Sequence, residues 1–166
     1  MKEAVTLGGL TMHVRNFQGA LSYQNPTMLA RFVKRNGGTT EEAQELFEAT
    51  KQFLLVVITM DRPVSPTKRI DEMWHHFILH THDYASWCEE FVGCFVHHYP
   101  SEDAASVSRT EVRNVAMQLF PNLNLAFWPT TVATLGDCDG GCTCSFECAQ
   151  KIGHDLPAGE QVSPAN

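Results

Sequence analysis

Six of the eight histidines in this 166-residue chain fall between positions 75 and 98, and four of those fall between 75 and 82. On a helix at about 100° per residue, Ile70, Met73, Trp74, Phe77 and Ile78 share one apolar face. Asp71, His75 and His82 line one flank of that stripe, and His76 and His80 line the other. The segment therefore offers two pairs at i, i+4, Asp71/His75 and His76/His80. That spacing lets side chains on successive turns reach one ion. A transition metal needs at least one more ligand from elsewhere, and His97 and His98 supply candidates. Imidazole with carboxylate suits zinc or non-haem iron, and two histidines with one carboxylate suit Fe(II) with open positions. Glu72, Asp83, Glu89 and Glu90 are further carboxylates nearby that no spacing selects. The plain alternative is a hydrogen-bonded Asp/His pair on a helix surface and a polar turn at His97-His98.

A second cluster lies near the end of the chain. Cys138, Cys142, Cys144 and Cys148 form C-x3-C-x-C-x3-C. Four thiolates so close together can hold Zn²⁺ or Cu(I), because soft ligands prefer those ions. The same cysteines could instead pair as a redox switch, serve as sites of modification, or stay reduced and unligated. Cys88, beside Trp87 and Phe91, reads as a buried apolar filler.

Elements that would position these residues follow from apolar period and breakers. Residues 26–35 read as a short helix stopped by Asn36-Gly37-Gly38. Thr39 stands three residues before Glu42, a capping-box spacing that opens a helix from about Glu41 to about Ile58. Ser65 as N-cap and Pro66 at the first helical position start the histidine helix, which runs to about His80. Thr81 caps a further stretch from His82 to Phe91, ended by Gly93. Val107 to Leu119 reads as a last helix, and Leu123 to Trp128 packs back on the core. These elements predict an all-α fold, a small bundle of about four to five helices over 26–130. Residues 1–25 read as an N-terminal arm or small hairpin, and 131–166 as a flexible, partly disordered Cys/Gly-rich tail.

With 43% hydrophobic and 19% charged residues, the composition is that of a globular domain. A net charge of −7 argues against nucleic-acid binding, which needs a basic surface. The longest apolar run, Phe53 to Ile58, falls far short of the roughly 20 residues that span a bilayer. The N-terminus lacks the apolar stretch of a signal peptide, so a cytoplasmic location is expected, where cysteines stay reduced or bind metal. Neither a G-x-S-x-G elbow nor a phosphate-binding glycine loop occurs.

Several separated motifs occur in an order that resembles the glycine-rich domain-containing protein-like family of bacteria and plants. They are Val64-Ser65-Pro66, Ile70-Asp71-Glu72-Met73-Trp74-His75, Thr81-His82-Asp83-Tyr84 and Val96-His97-His98-Tyr99-Pro100, with Leu29-Ala30-Arg31-Phe32 upstream and Phe127-Trp128-Pro129 downstream. The resemblance covers about 28 to 130 and extends to a Gly/Cys-rich tail. It implies that Asp71, Trp74, His75, Tyr84 and His98 are the important positions, with Trp74 and Tyr84 supporting the site. Phe77 stands where the family pattern W-H-x-H has its second histidine.

Three functions compete on these grounds. The first is a transition-metal protein holding zinc or iron through Asp71, His75 and His98, with His76, His80, His82 and His97 in reserve, and a hydrolase or oxygenase if a coordination position stays open. The second is a thiolate carrier, store or redox-responsive protein acting through the tail. The third is a helical interaction module with a protein partner and structural histidines.

Overall fold

The computed structural model describes residues 2–60, 62, 64–100, 107–130 and 142–143. Among them the fold is all-α, with two small antiparallel sheets. Cys138, Cys144 and Cys148, and the rest of the tail apart from 142–143, lie outside the described residues.

A hairpin opens the chain. β1 (Glu3–Leu7) pairs with β2 (Leu10–Val14) in the register Leu7↔Leu10. Gly8 and Gly9, at φ 56 and 82, make the two-residue turn that needs positive φ at both positions. Met12 and Val14 face inward and are buried against the helices. α1 (Phe17–Ser22) follows, capped by Asn16. Gly19 lies so close to the Phe91 ring that a Cβ there would stand 2.7 Å from it. α2 (Pro26–Asn36) starts on an Asn25 cap with Pro26 in its first turn, and Gly37 at φ 78 ends it.

α3 (Thr40–Met60) is the axis of the fold and packs against α1, α2, α4, α6 and β2. The expected capping box is present: Glu42 N donates to Thr39 Oγ1 at 3.1 Å and Thr39 N donates to Glu42 Oε2 at 2.9 Å. From Phe53 to Ile58 the helix is buried on every side, as its unbroken apolar run requires.

α4 (Lys68–Leu79) begins two residues later than the Ser65-Pro66 pair suggests. Thr67 is the cap instead: extended at φ −74, ψ 157, its hydroxyl accepts from Ile70 N and is bonded to the Phe127 carbonyl at 3.2 Å. That tie to the C-terminal segment outweighs the local preference of Pro66 for a first helical turn. Ile70, Met73, Trp74 and Phe77 form its buried face, and Ile78 is partly buried against the same core. His80 breaks the helix, and α5 (Thr81–Trp87) resumes at once, so Thr81 is inside α5 and caps nothing. The chain then widens into a π-helical turn, Cys88–Val92, closed by Gly93 at φ 85. The carbonyl freed at Phe91 accepts from both Arg15 N and Asn16 N at 2.8 Å, fastening the hairpin to the bundle.

α6 (Arg109–Leu119) is capped by Ser108, so it starts two residues after the expected Val107. A 3-10 turn, Leu125–Phe127, leads to buried Trp128, while Leu125 faces solvent. Finally β3 (Tyr99–Pro100) pairs antiparallel with β4 (Cys142–Thr143), with Pro100 opposite Cys142. No helix among the described residues is long and apolar enough to cross a membrane.

Candidate metal centre

The first turns of α4 carry Asp71 and His75 one turn apart, and the segment after Gly93 brings His98 onto them. Asp71 Oδ1 is 2.8 Å from His98 Nε2, and Asp71 Oδ2 is 3.2 Å from His75 Nδ1. The two imidazole rings lie 4.3 Å apart. One ligand atom from each residue falls within a set whose members are all within 4.8 Å of one another, close enough to hold a metal ion. The centre runs from inside to outside: the His98 side chain is 6% exposed, Asp71 20% and His75 51%. One carboxylate and two imidazoles make a 2-His-1-carboxylate donor set, which suits zinc or Fe(II) and leaves positions for water or substrate.

Buried aromatic residues hold His98 in place. The Trp74 ring lies edge-on to it at 4.6 Å. Trp74 Nε1 donates to Tyr84 Oη at 3.0 Å, and Tyr84 Oη donates to the Val96 carbonyl at 2.6 Å. This relay joins α4, α5 and the 96–98 segment. Tyr84→Phe strands a buried indole N–H and a buried carbonyl, so a loss of about 2 kcal/mol is expected in urea unfolding. Trp74 Nε1 and Val96 O are the orphaned groups, and an unchanged midpoint would show that the relay does not hold the segment.

The other histidines go elsewhere. His76 Nε2 is 3.1 Å from the Met28 carbonyl, and its ring stands edge-on to Phe32. Burial holds its pKa below the ordinary value, against the Met28 hydrogen bond, with His80, Arg35 and Arg31 adding repulsion. His80 is 5.2 Å from His76 ring to ring and 3.8 Å from Asp83, which itself accepts from Asn25. His82 is 94% exposed. His97 packs on the Phe95 ring. Among the described residues, only the Asp71/His75/His98 group gathers three such ligands. Cys88 is buried and its thiol is pushed up to about 11 by that burial, so it stays protonated and inert.

An open groove of about 310 Å³ adjoins the outer edge of the centre. Arg35 and Asn36 at the end of α2 form one wall, and Glu72, His75, His76 and Leu79 of α4 form the other. Arg35 and Glu72 were not singled out by sequence reasoning. A signal for Glu72 was there: it follows Asp71 directly, in D-E-x-x-H, the spacing of a helix-borne metal motif with an acidic residue between its two ligands. Arg35 had none, because its place beside α4 depends on how α2 packs.

Comparison with known proteins places this geometry within a family. The model of the UCP032817-like family matches residues 15–119, a span that holds α1 to α6 and all three members of the triad. No curated protein and no solved structure matches the chain.

Proposed function

The chain belongs to the UCP032817-like family, and for the site its matched segment carries we propose a mononuclear metal centre held by Asp71, His75 and His98. The convergence of these three side chains from two parts of the chain carries the reading. Zinc is the first choice, since it accepts this donor set without redox conditions, and iron is the second. Three protein ligands leave a position on the half-exposed His75 side, where the groove opens. A bound divalent ion there acidifies water, so the reading is a metal-dependent hydrolase, with oxygenase chemistry following if the metal is iron. Trp74 and Tyr84 are its supporting residues. The similarity of the W-H and H-H-x-P motifs to the glycine-rich domain-containing protein-like family belongs to the same reading. So does a cytoplasmic location, where the tail thiols stay reduced.

One observation favours a role for the tail thiolates. β4 brings the backbone of Cys142 opposite Pro100, two residues from His98. In that second reading the tail carries zinc or Cu(I) to or from the centre.

Elemental analysis of full-length protein purified without chelator tests both. We expect about one metal ion per chain, retained when Cys138, Cys142, Cys144 and Cys148 are all changed to Ser and lost in Asp71→Ala/His98→Ala. Metal that leaves with the four cysteines and survives the triad variant would overturn the first reading in favour of the carrier.

A further inference from the structure

Beside the triad, the groove between the end of α2 and α4 holds charged groups that the metal ligands do not use. We propose that this groove is the substrate side of the centre: Glu72 takes the proton from the attacking water, and Arg35 holds an anionic group of a small ester or amide substrate. The proposal rests on the metal reading above.

Spacing and direction carry it first. In an H-E-x-x-H helix the ligands at i and i+4 face one ion, and the Glu at i+1 serves as general base. Asp71-Glu72-x-x-His75 repeats that arrangement with a carboxylate as the first ligand. At about 100° per residue, Trp74 and Glu72 fall on opposite flanks of the Asp71/His75 line. His98 approaches from the Trp74 flank, edge-on to that ring. Glu72 is left on the other flank, where it and His75 share the open groove. The third ligand and the base therefore stand on opposite sides of the place an ion would occupy.

The opposite wall supplies a cation. Arg35 sits in the last turn of α2 and lines the same groove. Neither Arg35 nor Glu72 has a hydrogen-bond or ion-pair partner among the described residues. A guanidinium is always charged and grips a carboxylate with two parallel bonds. Exposed Leu79 gives the groove an apolar patch. Its volume of about 310 Å³ is at the small end for ligand sites and suffices for the reacting part of a small molecule.

The step balances without a redox partner. Glu72 accepts a proton from water, and the water oxygen bonds to the carbonyl carbon. The bond to the alkoxide or amine then breaks, and Glu72 returns the proton to that leaving group. One water is consumed, and an acid and an alcohol or amine are released.

The test uses zinc-loaded full-length protein with two esters, 4-nitrophenyl acetate and mono-4-nitrophenyl succinate, which differ in a free carboxylate. We expect kcat/KM about tenfold higher for the succinate ester, and Arg35→Ala to raise its KM about tenfold. Lys34→Ala, one residue away and outside the groove, leaves that KM unchanged. Glu72→Gln lowers kcat on both esters about a hundredfold while zinc per chain stays the same. Cobalt-loaded protein gives a readout free of turnover: added succinate perturbs its visible absorption, about tenfold more weakly in Arg35→Ala. Bound zinc with no ester cleavage, or with cleavage indifferent to Glu72→Gln, overturns the base and leaves the metal reading standing. A cobalt spectrum that ignores succinate overturns the anchor. Protein that binds neither metal overturns the metal reading together with this one.

Discussion

Zinc at a hundredfold excess over its Kd is expected to raise the melting temperature by about 5–10 °C, and a chelator to reverse the shift. At that excess, a ligand that binds only the folded state adds about 2.7 kcal/mol, and each kcal/mol moves a chain of this size by about 2–4 °C. The triad meets that condition. Asp71 and His75 are neighbours in any helical state, but His98 joins them only when α5 and the π-helical turn have folded back. Metal binding is thereby coupled to the tertiary fold and not to one helix. The variants should separate by burial. His75→Ala removes a half-exposed ligand and should leave the zinc-free protein close to wild type while abolishing most of the shift. His98→Ala also empties a buried position under Trp74, so the zinc-free protein should lose about 1–3 kcal/mol as well. Asp71→Asn keeps the shape but lacks the anionic oxygen, and it should lose the shift. Scanning calorimetry with and without chelator reads all three. A wild-type shift that persists in all three variants would place the zinc on the tail thiolates instead.

The parts of this fold that were legible in the sequence are those decided locally. The Thr39/Glu42 box and the Gly37 stop depend on a few adjacent residues, and both appear where their spacing put them. The face of α4 was legible too, because Ile70, Met73, Trp74 and Phe77 repeat at helical spacing. What was not legible depends on distant partners. The start of α4 moved to Lys68 because Thr67 is tied to Phe127, sixty residues away. The π-helical turn at Cys88–Val92 has no sequence signature, and at its end the Phe91 carbonyl receives Arg15 N and Asn16 N. Spacing offered both His97 and His98, and the family resemblance favoured His98, the one that meets Asp71 and His75. In the folded chain His98 lies against Asp71, while His97 packs on the Phe95 ring. The groove was hidden for the same reason, since Arg35 and Glu72 meet only through the packing of α2 on α4.

That packing leads to the second large effect. Lys51→Ala is expected to destabilise the protein by about 3–5 kcal/mol, among the largest costs of any single change. Lys51 lies on α3 and is 1% exposed. Its ammonium donates to the carbonyls of Leu21 and Tyr23, pairs with Glu48 at 2.9 Å, and stands over the Phe47 ring. It therefore clips the end of α1 to α3 and sets the path by which the chain enters the Asn25 cap of α2. Tyr23 in turn stacks on Phe77 of α4. Removing the ammonium leaves two inward carbonyls without their donor, and removing the stem leaves a cavity. Lys51→Met restores most of the volume but not the donors, so it should cost less, about 1–3 kcal/mol. A pH series separates charge from packing. Burial pulls the Lys51 pKa below its usual 10.5, against the bond and charge of Glu48. Between the folded value and 10.5 the unfolded chain binds the extra proton, so the contribution of this group to stability rises with pH across that window. Wild type should therefore gain on Lys51→Met as pH increases, which urea midpoints measured from neutral to alkaline pH would show. A constant difference across the series would mean that the ammonium is not desolvated. If the clip also aligns α2, and so Arg35, with α4, then Lys51→Met should weaken succinate binding to the cobalt-loaded protein while metal per chain stays constant, because the polar partners of Lys51 are Leu21, Tyr23 and Glu48 and none of the three ligands.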